Sequence, residues 1–183
     1  MSTAITGVLQ NSVYEKNILQ GKPEKVNLSE IIGSLVDKSR DYVRSHDLKY
    51  EWEIDPSCIK YMYPDHVDHI FNNYLTNAIV HSREKGRIRV TLKDMDPLVR
   101  FSVYNDGDPI PPEDQEKIWL EFASLNNQKE ITLSGKGETE TGSGLGLFIV
   151  KEISLVYSSN CGIINQKEGV EFWFDFIDYK ENS

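Results

Sequence analysis

The sequence predicts an α/β (α+β) two-layer sandwich, a mixed β-sheet covered on one face by helices. Two observations predict it. Segments of helical period are interspersed with segments of period two, and strand-like segments follow one another directly, as at 87–92 and 98–104, an order that suits helices packed on one side of a mixed sheet. The chain of 183 residues, 39% hydrophobic and 10% aromatic, has the material for one core. At roughly 100–200 residues per domain, a multi-domain enzyme is not expected.

The elements follow in order. Ile5, Val8, Leu9, Val13 and Ile18 lie at loosely helical spacing and read as the last turns of a longer helix. The polar run Gln20-Gly21-Lys22-Pro23-Glu24-Lys25 marks a boundary, so residues 1–21 are expected to be a C-terminal stub of a helix or a linker, and residues 22–183 the domain proper. Leu28, Ile31, Ile32, Leu35, Val36, Tyr42 and Val43 follow the amphipathic rule, with Asn27 or Ser29 as N-cap. Leu48, Tyr50, Trp52 and Ile54 alternate with polar residues as a half-buried strand does, and Ile59 to Tyr63 reads as a second strand. From Asp65 the helical period returns through Val67, Ile70, Phe71, Tyr74, Leu75, Ala78 and Ile79. Arg87 to Leu92 and Leu98 to Tyr104 are expected to form antiparallel strands turning at 93–97. Pro111-Pro112-Glu113 opens a short helix, because proline fits the first turn and acids complement its positive end. Residues 123–141 read as a loop, 145–156 as a helix, and 161–165 and 171–176 as strands.

Charge narrows the function. Twenty Lys and Arg against 29 Asp and Glu give a net charge of -9, which disfavours a general nucleic-acid binder. An anionic ligand would have to be held by backbone dipoles or a metal ion. Cys58 and Cys161 are too few for a disulfide framework and lack the paired spacing of a zinc site, so they read as packing residues in a reducing compartment. No run approaches the ~20 apolar residues of a membrane-spanning helix.

Three motifs carry chemistry. Asn73, Asn77 and His81 recur every four residues along one line of the long helix, beside Asn72. Asparagine forms helices poorly, so its clustering points to ligand hydrogen bonding or to a carbonyl oxygen for a hard cation, although a solvated helix face would show the same spacing. Val103-Tyr104-Asn105-Asp106-Gly107-Asp108-Pro109-Ile110 carries a strand into a turn, where Asn105 could read a base edge and Gly107 admit a flat ligand. Thr141-Gly142-Ser143-Gly144-Leu145-Gly146-Leu147 sets bare backbone at a helix start, which suits a phosphate chain. It fits neither the Walker loop nor the dinucleotide fingerprint, where Leu147 stands at the third glycine. The polar stretch before it reads as a lid over about 123–141.

Taken together and in this order, the segments from about Lys25 to Tyr179 resemble the catalytic ATP-binding domain of sensor histidine kinases, within the GHKL superfamily of the Bergerat ATP-binding fold. Phe71 to Ile79 is similar to the N box, Val103 to Ile110 to the G1 box, Phe122 to the F box, Thr141 to Leu147 to the G2 box, and Gly169-Val170-Glu171-Phe172 to the terminal strand motif. Asn-Tyr-Leu-Thr-Asn-Ala and Gly-Val-Glu-Phe-Trp-Phe look closest to Gram-positive kinases of the vancomycin-resistance type.

The resemblance implies that Asn77 coordinates Mg²⁺ bridging the phosphates of ATP, that Asn73 assists, and that this pair is catalytic. It places the nucleotide against Asn105, Gly107, Ile110 and Phe122, and the phosphates on Gly142, Ser143, Gly144, Leu145, Gly146 and Leu147. His81 remains the candidate phosphate contact, since Val80 stands where a basic residue is usual. Asn73 replaces the glutamate that activates water in the superfamily's hydrolases, which favours phosphoryl transfer to a histidine. The implied partners are a dimerisation and phosphoacceptor domain absent from this chain and a response regulator, the parent being a membrane-anchored homodimer with this domain in the cytoplasm.

Departures from the family pattern at Val80, Pro109, Val170 and the lid imply weakened ATP affinity, and Asp106 beside Asn105 leaves the adenine contact open by one residue. His46-Asp47-Leu48-Lys49 is not a phosphoacceptor motif, because it opens a strand, and His66 and His69 are expected to be solvated or capping. Two alternatives are an anti-sigma-factor-type serine kinase of the same fold and a degenerate, non-catalytic interaction module.

Overall fold

Asn27 ends a short strand and starts the first helix. The computed structural model describes residues 21–120 and 145–180, and the backbone of 131–132 and 139–140. In it β1 (Glu24–Asn27) runs into α1 (Leu28–Ser45), where Asn27 Oδ1 accepts from the Glu30 amide at 3.3 Å. Leu28, Ile32, Val36 and Val43 form its buried face. It closes at His46, whose amide donates to the Arg44 and Val43 carbonyls, before Asp47 turns left-handed at φ 57°. His46, read as part of a segment opening a strand, instead ends the helix, its Nδ1 lying 2.9 Å from the Tyr42 carbonyl, and the strand starts at Lys49.

The main sheet is built from β2 (Lys49–Ile54), β4 (Arg87–Met95), β5 (Leu98–Asp106), β9 (Gly169–Phe176) and β8 (Cys161–Asn165), in that spatial order. β2 pairs parallel to β4 and every other neighbour is antiparallel, so the sheet is mixed. β3 (Ile59–Met62) pairs with β1 in a separate two-stranded sheet. Two helices complete the second layer, α2 (Pro64–His81) and α3 (Gly146–Val156).

The period-two pattern decides which sheet face meets the helices. Val99, Phe101 and Val103 on β5 and Phe172, Phe174 and Phe176 on β9 are buried. Phe101 meets Phe71 and Tyr74 of α2 at ring distances of 6.0 and 6.1 Å, and Phe172 meets Tyr74 at 5.6 Å. The opposite face is polar but paired: Arg100 forks onto Asp175 at 2.7 and 2.9 Å and lies 4.2 Å over the Trp173 ring.

Several expectations are corrected. β1 begins inside the run read only as a polar boundary, because its pairing with β3 is non-local and leaves Glu24 and Lys25 exposed. The helix expected after Pro111 is two 3₁₀ turns, Pro112–Asp114 and Lys117–Trp119. β6 (Ile131–Thr132) and β7 (Thr139–Glu140) pair antiparallel inside the stretch read as a loop. His66 is fully buried, its Nδ1 2.7 Å from Tyr157 Oη, which also accepts from the Tyr63 amide at 3.1 Å. It faces inward with Val67, between the Tyr63 and Tyr157 rings, whereas His69 is exposed. The helical stub read over residues 4–19 lies outside the described residues, as do Phe122, Gly142, Ser143 and Gly144.

Candidate functional site

α2 is rotated by its apolar stripe. Val67, Ile70, Phe71, Tyr74, Leu75, Ala78 and Ile79 are buried, and Tyr74 Oη donates to the Trp173 carbonyl at 2.9 Å. That rotation leaves Asn73 and Asn77 half-buried at the edge of the stripe, and Asn72 and His81 exposed.

Asn73 is oriented by its own helix. Its Nδ2 donates to the His69 carbonyl at 2.8 Å, and its Oδ1 faces the start of α3, where a Cβ added to Gly146 would come within 2.5 Å of it. Glycine therefore permits the close approach of the two helices. Among the described residues no side chain caps α3, whose first turn begins after Leu145. Leu145, Gly146 and Leu147 are half-buried there. The Asn77 amide, one turn beyond Asn73, is hydrogen-bonded to none of the described residues.

At the end of β5 the two candidate adenine contacts part. Asn105 is 2% exposed and continues the helix-facing row of Phe101 and Val103. Its Nδ2 lies beside Gly107, where an added Cβ would come within 2.6 Å of it and within 2.7 Å of the His81 carbonyl. The Asn105 side chain makes no hydrogen bond with the described residues. Asp106 turns to the opposite face and accepts from the Arg87 amide at 3.0 Å and from Tyr104 Oη at 2.7 Å. Its carboxylate also pairs with the Arg87 guanidinium at 3.4 Å. The Tyr104 hydroxyl bond and the Asp106 carboxylate hold Arg87 more firmly charged, and burial raises the Tyr104 hydroxyl above its ordinary range.

Residues 107–110 leave the sheet but are tied down on three sides. Arg83 donates to the Gly107 carbonyl at 3.1 Å and to Asp108 Oδ1 at 3.2 Å. The Gly107 amide donates to the Glu168 carbonyl at 3.1 Å. Asn165 bonds both backbone groups of Ile110, and Gln115 donates to the Ile110 carbonyl at 3.1 Å. Sequence reading missed Arg83, Gln115 and Asn165, since no periodicity marks a side chain that bonds loop backbone 24, 5 or 55 residues away.

Known proteins share the fold of this chain. The family model described as "Histidine kinase-, DNA gyrase B-, and HSP90-like ATPase" matches residues 62–181. The chain is 25% identical over 157 residues to the adaptive-response sensory kinase SasA of Prochlorococcus marinus, covering 84% of this chain and 40% of that protein. It is 28% identical over 151 residues to the phosphate regulon sensor protein PhoR of Haemophilus influenzae, covering 82% of this chain and 34% of that protein. The chain thus spans well under half the length of these relatives. The solved catalytic domain of histidine kinase ThkA superposes with a TM-score of 0.71 at 26% identity, covering 87% of this chain and all of that domain. ThkA in complex with the response regulator protein TrrA shares the fold, with a TM-score of 0.65 at 24% identity, over 94% of this chain and 48% of that one.

Proposed function

The chain belongs to the histidine kinase-, DNA gyrase B-, and HSP90-like ATPase family, and on that premise we propose that it binds Mg²⁺ and ATP between α2, the start of α3 and residues 105–110. It donates the γ-phosphoryl group to a histidine on a dimerisation domain outside this chain. The observation that carries the reading is the meeting of Asn73 with Gly146 at the start of α3, one turn from the Asn77 amide.

The residues present fit a hard cation and a polyanion. Asn77 offers a neutral carbonyl oxygen, the donor that Mg²⁺ accepts, and Asn73 stands one turn away. When bound, Mg²⁺ would neutralise phosphate charge. The leading amides of α3, at Leu145, Gly146 and Leu147, suit phosphate oxygens. Asn73 has no basic group with which to take a proton from water, which supports transfer over hydrolysis. The engagement of Asp106 with Arg87 and Tyr104 on the far face supports Asn105 as the adenine contact, beside Gly107 and Ile110. His81, Phe122, Gly142, Ser143 and Gly144 belong to the proposed nucleotide site through the family resemblance.

The same reading makes a response regulator the next acceptor, as ThkA assembles with TrrA. The parent is a homodimer anchored in the membrane with this domain in the cytoplasm; no helix among the described residues is long and apolar enough to cross a membrane. The Asn-Tyr-Leu-Thr-Asn-Ala and Gly-Val-Glu-Phe-Trp-Phe segments support a place near Gram-positive kinases of the vancomycin-resistance type.

The test is labelling of the full-length protein with γ-labelled ATP. Mg²⁺-dependent, acid-labile label on a histidine is expected, and chelation or Asn77→Ala should remove it. Equal labelling of the Asn77→Ala protein would overturn the assignment.

A further inference from the structure

We propose that Asn165 is a positioning residue for the nucleobase, holding residues 107–110 in their binding shape through the backbone of Ile110. The inference rests on the reading that this loop takes adenine.

β5 stops pairing with β9 at Asp106, and Pro109 has no amide hydrogen to carry a ladder onward. The turn between β8 and β9 takes over that task. The Glu168 carbonyl accepts from the Gly107 amide at 3.1 Å. Beyond it, Asn165 Oδ1 accepts from the Ile110 amide at 3.0 Å while its Nδ2 donates to the Ile110 carbonyl at 2.8 Å. One side-chain amide thus supplies both bonds that a neighbouring strand would give. The turn lies close because residue 169 is glycine: an added Cβ would stand 2.0 Å from the Asn105 carbonyl and 2.7 Å from Tyr104 Oη. The tie from Asn165 therefore acts on the same short segment that carries Asn105 and Gly107.

The chemistry asks for an amide of this length. An aspartate would keep the acceptor for the Ile110 amide but lose the donor, and would set a charged oxygen against the Ile110 carbonyl. Because Asn165 is exposed, its replacement leaves the core untouched.

The experiment measures ADP and GDP binding, with and without Mg²⁺, to the chain and to its Asn165→Ala and Asn165→Asp variants, each checked for unchanged thermal unfolding. Both variants should lose about fivefold or more in ADP affinity, the size of one net hydrogen bond. The preference for ADP over GDP should shrink, while the gain from Mg²⁺ stays the same because Asn77 is untouched. Wild-type-like ADP affinity and base preference in both variants would overturn the inference and leave the nucleotide reading standing. An Asn165→Asp variant matching wild type beside a weakened Asn165→Ala would also overturn it, by reducing the role to bulk. Absence of nucleotide binding by the unmodified chain would overturn the reading beneath it as well.

Discussion

Asn73 and Asn77 stand one turn apart on α2, yet the structure treats their amides differently. Asn73 is held from both sides, by the His69 carbonyl and by the approach of Gly146, whereas the Asn77 amide has no hydrogen-bond partner among the described residues. On the proposed reading Asn77 offers its carbonyl oxygen to the cation, and Asn73, whose Nδ2 is spent on the His69 carbonyl while its Oδ1 faces Gly146, aligns beside it. Gly146→Ala separates function from stability. Alanine at a helix start improves propensity by up to about 1 kcal/mol, but its Cβ would come within 2.5 Å of Asn73 Oδ1 and push that amide aside. We expect thermal stability within about 1 kcal/mol of wild type and roughly tenfold weaker Mg²⁺-nucleotide binding, a loss of about 1.4 kcal/mol. Unchanged affinity in a titration calorimeter would show that the Asn73 position does not matter to the ligand.

At the scale of elements, α2 is oriented by its rings more than by its hydrogen bond. Removing the Tyr74 hydroxyl, which donates to the Trp173 carbonyl, should cost about 1 kcal/mol. Phe101→Ala, which empties the meeting point of Phe71, Tyr74 and Phe176, should cost about 3–5 kcal/mol. Chemical denaturation of the two variants checks the order, and a Tyr74→Phe loss equal to that of Phe101→Ala would contradict it. Both contacts fall on residues whose periodicity is visible in the sequence, which is why α2, β4, β5 and β9 were legible there. β1 was not, because its four residues earn their place only by pairing with β3. The two 3₁₀ turns after Pro111 were half legible: proline marked a start, but Ile118 is the only residue of either turn that is buried. The site shows the same division. Asn73, Asn77 and Asn105 lie on patterned elements and could be picked out, while Asn165, Arg83 and Gln115 act through contacts that sequence spacing does not encode.

Over the whole molecule, the proposed reading asks a chain of net charge -9 to hold a polyanion. On that reading the described site meets the demand with neutral amides and a helix start in place of clustered lysines, and a cation would be the term that makes binding favourable. The mixed sheet with helices on one face supports this by bringing α2, the start of α3 and the end of β5 together, from segments far apart in the chain. The end of β8 and the turn that follows it bond residues 107–110, the side proposed for the nucleobase, through Asn165 and the Glu168 carbonyl. The most direct measurement is calorimetric titration of ADP and a non-hydrolysable ATP analogue, with and without Mg²⁺, into the wild-type chain and into Asn77→Ala. The account predicts Mg²⁺-dependent binding to the wild type and its loss in a folded Asn77→Ala variant. Failure of the folded wild type to bind at millimolar ligand, or equal Mg²⁺ dependence in both proteins, would contradict it.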